Sequence, residues 1–342
     1  MSYTYIHELL AEQYGITPKA IELLSHSEKM VYRVETMDAV YIFDIYRRRE
    51  ELASAVNGDH GKYATEQAIA SEIRILNILV NHCPELKTPS PIKACDGRTQ
   101  TNIVLDGQSA ACLLRPFIPG AELTKSQPNY LQHANQAGAV AAKLHNASNR
   151  YLAEECVQRP EHRQAYVQQI IHTIQQGLRV GTITEDQFAL IRRALELVIQ
   201  RMDQMDRCPD YLGIVHTDLR DANFLVVGDT VVPIDFGRCV YGYLLYDLGE
   251  MCAHMGGSHR QVPPEIIKGY HSVRPLSISD LVTIEAMMML FILSVVAEQI
   301  LHRGSSYVLQ TVKRLTEGDL VHLLAEEPVI AGIREVIQQE CP

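Results

Sequence analysis

Within "HTDLRDANFLVVGDTVVPIDFG", His216 to Gly237, three oxygen-bearing side chains stand at an informative spacing: Asp218, Asn223 and Asp235. A carboxylate such as Asp218 can accept a hydroxyl proton or orient the hydroxyl for attack. Asn223, five residues on, can turn back toward a metal through its side-chain oxygen. Oxygen donors suit a hard cation such as Mg2+, commonly held by one or two carboxylates together with substrate phosphates. "FLVV" and "VVPI" read as two short strands around Gly228-Asp229-Thr230. Asn223 and Asp235, twelve residues apart in sequence, would then return to the same end of one ribbon. A carboxylate for the acceptor and two metal ligands are parts that phosphoryl transfer from a nucleotide requires. A cation on the phosphates is still needed. His216 is placed to brace the loop by hydrogen bonds, not to carry protons.

The elements that must position these residues can be read from periodicity. The chain has 342 residues, which suits two lobes better than one core. Residues 5–13 and 18–24 have helical spacing, the second with Thr17 as cap and Pro18 in its first turn. "KMVYRVE" and "AVYIFDIY" predict an antiparallel hairpin across "TMDA", and a loop is expected around Asn57 to Gly61. A helix from about Thr65 to Asn81 presents Ile69, Ile73, Leu76 and Leu79 on one face. Strands divided by Asp-Gly turns follow up to Phe117, and from Asn129 the chain is mostly helical. The apolar run Ala286–Ile300, interrupted by Glu298, is short for a membrane span and reads as a buried core helix, with Met287 to Met289 as filling.

Composition narrows the function. The net charge of −10 argues against broad nucleic-acid binding. The N-terminus is amphipathic and does not resemble a signal peptide. Eight cysteines without a CxxC pair indicate neither zinc nor a disulfide framework. A cytoplasmic protein without membrane or nucleic-acid partners is expected.

"HTDLRDAN" followed by "IDFG" resembles the aminoglycoside phosphotransferase, choline kinase and homoserine kinase group. "AAKLHNAS" resembles that group's helix ending in Leu-His, "LLRPFIPGAEL" its hinge, and "YDLGEM", with Asp247, its later aspartate-leucine segment. The resemblance implies a bilobal, protein-kinase-like α+β fold. An antiparallel nucleotide-binding lobe with one helix would span residues 1–115, a hinge 116–120, and a mainly helical catalytic and substrate lobe 121–342. It further implies Mg2+ and ATP or GTP, with Asp218 catalytic, Asn223 and Asp235 on the metal, and Arg115 and Phe117 beside the nucleotide. The acceptor would be a hydroxylated small molecule, compatible with a cationic amine held by carboxylates such as Glu250, Glu265, Asp280 or Glu285. Oligomeric state is left open.

One position departs from the pattern. The resemblance implies a lysine or arginine in the third strand, paired with a glutamate on the next helix. Glu72 is at the helix position, but the strand carries Asp44. A carboxylate about 5 Å from a phosphate charge costs roughly 3 kcal/mol at an effective dielectric near 20. Lys29, at the start of the second strand, is the expected replacement cation, with Arg33 and Arg47 as alternatives. The preceding loop lacks glycine, so Ser25, His26 and Ser27 would have to compensate for poor backbone cradling. Two functions follow: an active small-molecule kinase, or a nucleotide-binding pseudokinase with a regulatory role.

Overall fold

The computed structural model describes residues 3–26, 29–46, 63, 65–105, 107–152, 158–257, 259–301 and 305–338. The chain divides into two compact units, Met1–Gly120 with Cys156–Pro160, and Ala121–Glu155 with Glu161–Pro342.

The first unit opens with helix α1 (Tyr3–Tyr14) and holds a five-stranded sheet in the order β1-β2-β3-β5-β4. Its strands are β1 (Ala20–His26), β2 (Lys29–Glu35), β3 (Val40–Tyr46), β4 (Thr101–Leu105) and β5 (Gln108–Pro116), and every pairing is antiparallel. Side chains alternate between faces along a strand. Tyr32, Val34, Phe43, Ile45, Cys112 and Leu114 therefore share one face, where they bury with Ile6, Leu9, Leu10 and Tyr14 of α1. Burying each large aliphatic or aromatic side chain contributes about 1.5–3 kcal/mol. The other face meets helix α2 (Glu66–His82) through Tyr46, Leu113, Ile69 and Ile73. Thr65 caps α2 by accepting from the Ala68 amide at 3.2 Å. This fixes the helix rotation so that Glu72, on the stripe with Ile69 and Leu76, is buried.

The helix expected over 18–24 is instead β1. Its Leu and Ile spacing is too short to separate helix from strand, and pairing with β2 decides the conformation. Most of β1 is exposed, as befits an edge. The hairpin of β2 and β3 and the helix after Thr65 stand where periodicity put them. The loop expected around Asn57 to Gly61 lies outside the described residues, as do Ser27 and Arg47.

The second unit is mainly helical. Its helices include α3 (Tyr130–Ala147), α4 (Gln164–Val180), α5 (Glu185–Met205), α6 (Leu245–Met251), α7 (Val262–His271) and α8 (Ile278–Gln299). Two small sheets punctuate them. One joins β10 (Thr230–Pro233), β9 (Phe224–Val227) and β6 (Ala121–Glu122); the other joins β7 (Glu161–His162), β11 (Val240–Tyr243) and β8 (Leu212–Val215). The second of these, assembled from three distant segments, left no pattern in the sequence.

Helix α8 is long and apolar enough to cross a membrane by length and composition, yet 78% of its most apolar window is buried within the protein. Met287, Met288 and Met289 all lie in that core. Gly249 lets α6 touch α8 backbone to backbone, since a Cβ there would sit 2.5 Å from the Met288 nitrogen. That contact holds the buried residues of α6 in place, Asp247 and Glu250 among them.

Candidate active site

The loop after β8 is gripped by one buried carboxylate. Asp247, in the first turn of α6, accepts from the His216 amide through Oδ2 and from the Thr217 amide through Oδ1, both at 2.8 Å. His145, at the end of α3, donates from Nε2 to the same Oδ2 at 3.0 Å, while its Nδ1 meets the Tyr270 hydroxyl. Burial raises the Asp247 pKa, but the hydrogen bond and charge of His145, with His216, overcome this and hold the carboxyl below its ordinary value. Thr217 adopts a left-handed backbone, φ 55°, and its hydroxyl donates to the Arg238 carbonyl at 2.7 Å. The grip of Asp247 is thus set against a locally unfavourable conformation.

This linkage has a sign. A carboxylate with a lower pKa folded than unfolded adds stability above its unfolded pKa, and that stability is lost as pH falls through the folded value. Asp247→Asn is expected to cost about 1–3 kcal/mol at neutral pH, because a buried backbone donor loses its acceptor. The difference from the parent should shrink in strong acid. Urea melts at pH 7 and pH 3 measure both.

Asp218 follows directly and is mostly buried, with Arg220 Nε 3.2 Å from its Oδ1. Its pKa is raised by burial, which Arg238, His216 and Arg220 oppose and Asp235 reinforces. A raised pKa makes this carboxylate a better proton acceptor than an exposed one. Asn223 is buried, and its Nδ2 donates to the Asp218 carbonyl at 2.8 Å. The amide's nitrogen is committed to the loop, which leaves Oδ1 as the atom that could meet a metal.

The hairpin brings Asp235 back to the end of the ribbon that carries Asn223. Phe224 pairs with Pro233, and the Ile234 amide donates to the Asn223 carbonyl at 3.0 Å. Asp235, next in sequence, has φ 64°, a left-handed turn that ends the strand. His216 donates from Nε2 to the Ile234 carbonyl at 3.1 Å and sets its ring edge-on to Phe236. It ties the loop to the hairpin. Asp221 is engaged by the Tyr130 hydroxyl and Lys125.

The first unit carries a separate charged cluster on the α2 face of its sheet. Asp44 is fully buried and ion-paired with Arg115 of β5. Register explains the pair: Arg115 lies opposite Ile42, two residues from Asp44 and on the same face. Lys29 Nζ approaches Asp44 Oδ1 at 4.0 Å and lies over the Tyr46 ring. Tyr46 donates to Glu72 Oε2 at 2.9 Å. Its hydroxyl pKa is pushed far up by burial and by the negative charges of Glu72 and Asp44. Two cations and two carboxylates thus converge where the resemblance called for one of each. Phe117 follows β5, donates its amide to the Val40 carbonyl and stacks under Arg33.

A sequence model of the phosphotransferase enzyme family matches residues 21–275. The chain belongs to that family. No curated protein matched the sequence. Among solved structures, a microcompartment-associated aminopropanol kinase is 21% identical with a TM-score of 0.72, covering 95% of this chain and 98% of that one. An amicoumacin kinase in complex with AMP-PNP, Ca2+ and Ami is 17% identical with a TM-score of 0.70, covering 97% and 96%. An aminoglycoside phosphotransferase from Alicyclobacillus acidocaldarius is 12% identical with a TM-score of 0.65, covering 99% and 97%. The fold is the protein-kinase-like one, with a five-stranded antiparallel sheet ahead of a largely helical region.

In this phosphotransferase, Asp218, Asn223, Asp235 and His216 form one local assembly, and Asp44, Arg115, Lys29 and Glu72 form another. Sequence reasoning missed the Asp44–Arg115 pair, because it assigns Arg115 to the nucleotide and not to Asp44. The i, i+2 relation across β3 and β5 becomes visible only with the strand register. It also missed His254, whose Nε2 lies 3.8 Å from Glu250 Oε1. Their four-residue spacing on one helical stretch was the available signal.

Proposed function

We propose that this phosphotransferase is a Mg2+-dependent kinase that moves the terminal phosphate of ATP or GTP to a hydroxyl of a small molecule. The observation that carries the reading is the assembly of Asp218 with Asn223 and Asp235 at one end of the β9–β10 ribbon, held from behind by Asp247. Solved neighbours with AMP-PNP and Ca2+, and with ADP and spectinomycin, support a nucleotide and a small acceptor.

In this reading Asp218 orients the acceptor hydroxyl and takes its proton as the oxygen attacks phosphorus. Asn223 Oδ1 and the Asp235 carboxylate would hold Mg2+, which when bound offsets charge on the phosphate oxygens. Two hard oxygen donors, one an amide whose nitrogen is already committed, fit that ion. His216 and Asp247 fix the loop. Lys29 is the phosphate-binding cation, carried by Asp44, while Arg115 neutralises Asp44 so that no net negative charge faces the nucleotide. Arg115 then acts through Asp44, Phe117 remains assigned to the nucleotide by resemblance, and Ser27 remains assigned to it as a side chain that makes up for the glycine-free loop.

Lys29→Met tests the relocated cation. Nucleotide affinity is expected to fall about tenfold or more, as for loss of a charged hydrogen bond. Unchanged binding in a titration with Mg·ATP would take Lys29 out of the site. A second reading, a nucleotide-binding regulatory protein without transfer, is favoured by Asp44 standing where a cation is usual. It requires nucleotide binding with no turnover on any hydroxylated acceptor.

A further inference from the structure

One buried carboxylate beside Asp218 has no work in the phosphoryl-transfer assembly. Glu250 is 2% exposed, and its Oε2 has no hydrogen-bond partner among the described residues. Buried carboxylates are ordinarily paired with a cation or bound to a metal. Its other oxygen faces His254 Nε2 at 3.8 Å, too far for a hydrogen bond. Beyond Glu250 the helix widens into a π-turn over Cys252–Gly256, and Lys125 Nζ fixes that turn by donating to the His254 carbonyl at 3.0 Å. The His254 ring rests on Phe291 of α8, centroids 4.7 Å apart. Burial, with Arg220, Lys125 and Arg238 nearby, holds the imidazole down at about 4, so it is uncharged near neutral pH. One oxygen of Asp218, one of Glu250 and a ring nitrogen of His254 all lie within 4.8 Å of one another.

We propose that Asp218, Glu250 and His254 form a binding site for a first-row transition-metal dication, Zn2+ above all, separate from the Mg2+ pair Asn223 and Asp235. The site stands on geometry, and only its effect on transfer rests on the kinase reading above. A neutral imidazole nitrogen with two carboxylates suits Zn2+, whereas Mg2+ and Ca2+ prefer oxygen alone. Donors about 2.05 Å from a tetrahedral Zn2+ stand about 3.4 Å apart. The Glu250–His254 edge, 3.8 Å, is close to that. The edges to Asp218 are bounded by 4.8 Å, so rotation of its carboxyl, where Arg220 engages Oδ1, completes the set. Three protein donors leave the fourth position open. A dication there gives buried Glu250 its counter-charge and takes Asp218 away from a hydroxyl acceptor. Zn2+ is thus expected to inhibit transfer even with Mg·ATP in place.

The test uses the full chain, stripped of metals and free of nucleotide, with Zn2+ followed by calorimetry and Co2+ by its visible absorption. Expected are one equivalent of either ion, a Co2+ spectrum of four-coordinate oxygen and nitrogen type, and no displacement by excess Mg2+. Asp218→Asn, Glu250→Gln and His254→Ala should each weaken Zn2+ by more than the about 10- to 100-fold that loss of an outer-shell partner causes. The His254 side chain is 34% exposed, so His254→Ala is the variant that should fold like the parent. Zn2+ should raise the melting temperature of the parent and not that of His254→Ala. With Mg·ATP present, Zn2+ should slow ADP release by the parent. His254→Ala, measured against its own rate without Zn2+, should resist that inhibition. Zn2+ affinity unchanged in His254→Ala or in Glu250→Gln overturns the site, as does full displacement by Mg2+. A Co2+ spectrum with thiolate bands moves the metal to a cysteine and overturns it too. ADP release by a parent that binds no Zn2+ overturns the site and leaves the kinase reading intact. Zn2+ binding that depends on all three residues, without transfer to water or any hydroxylated acceptor, sustains the site and overturns the kinase reading instead.

Discussion

Asp218→Asn removes the proton acceptor while keeping the side chain's size, and turnover is expected to fall about 10²- to 10⁴-fold. The prediction is specific because the surrounding loop does not depend on this carboxylate. Its backbone is held by Asp247 at His216 and Thr217, by Asn223 Nδ2 at the Asp218 carbonyl, and by His216 at Ile234. Burial already penalises the charged form of Asp218, so the neutral amide should not weaken the fold. Thermal stability and nucleotide affinity should stay near those of the parent. Turnover within a few-fold of the parent would remove Asp218 from the chemistry. A collapse of stability would show that the carboxylate is part of the frame.

The second large effect concerns stability and lies in the first unit. Arg115→Met takes the closer of two cations from fully buried Asp44, leaving Lys29 at 4.0 Å, beside Glu72, whose Oε1 has no hydrogen-bond partner among the described residues. Breaking a buried ion pair from one side typically costs about 3–5 kcal/mol, and Lys29 at 4.0 Å should keep the loss toward the lower end. Asp44→Leu should cost somewhat less, because Arg115 and Lys29 are long enough to turn toward water. Lys29 is already 12% exposed. The double variant Asp44→Leu/Arg115→Met should be closer to the parent than Arg115→Met alone, since an apolar pair strands no charge. Urea denaturation of the four proteins gives the coupling directly. Simple additivity of the two single losses would show that the pair is not an energetic unit.

The contrast between these two regions explains what the sequence could reveal. The Asp218, Asn223 and Asp235 assembly is built from one continuous stretch closed by a short hairpin, so local spacing carries its geometry. The grip of Asp247 on that stretch comes from thirty residues downstream of Thr217, and was recoverable only through resemblance. The Asp44 cluster draws on β2, β3, β5 and α2. Its pairing depends on strand register, which no local pattern specifies. The same physics misdirected the reading of residues 18–24, where seven residues of mixed apolar character gain their conformation from β2. The Glu250–His254 proximity was legible as helical spacing, but its relation to Asp218 needed α6 packed on α8 through Gly249.

The Asp44–Arg115 pair also limits the paths by which this chain could change. Placing the lysine that the resemblance implies at position 44 in one step would set three cations, residues 29, 44 and 115, around a buried face that then holds one carboxylate fewer. Such an intermediate would fold poorly, whatever its eventual merit as a phosphate clamp. Arg115 would have to change first, and that change alone takes from Asp44 the closer of its two cations. Each single substitution toward the arrangement the resemblance implies passes through a less stable protein, so these charges are locked in by their mutual dependence.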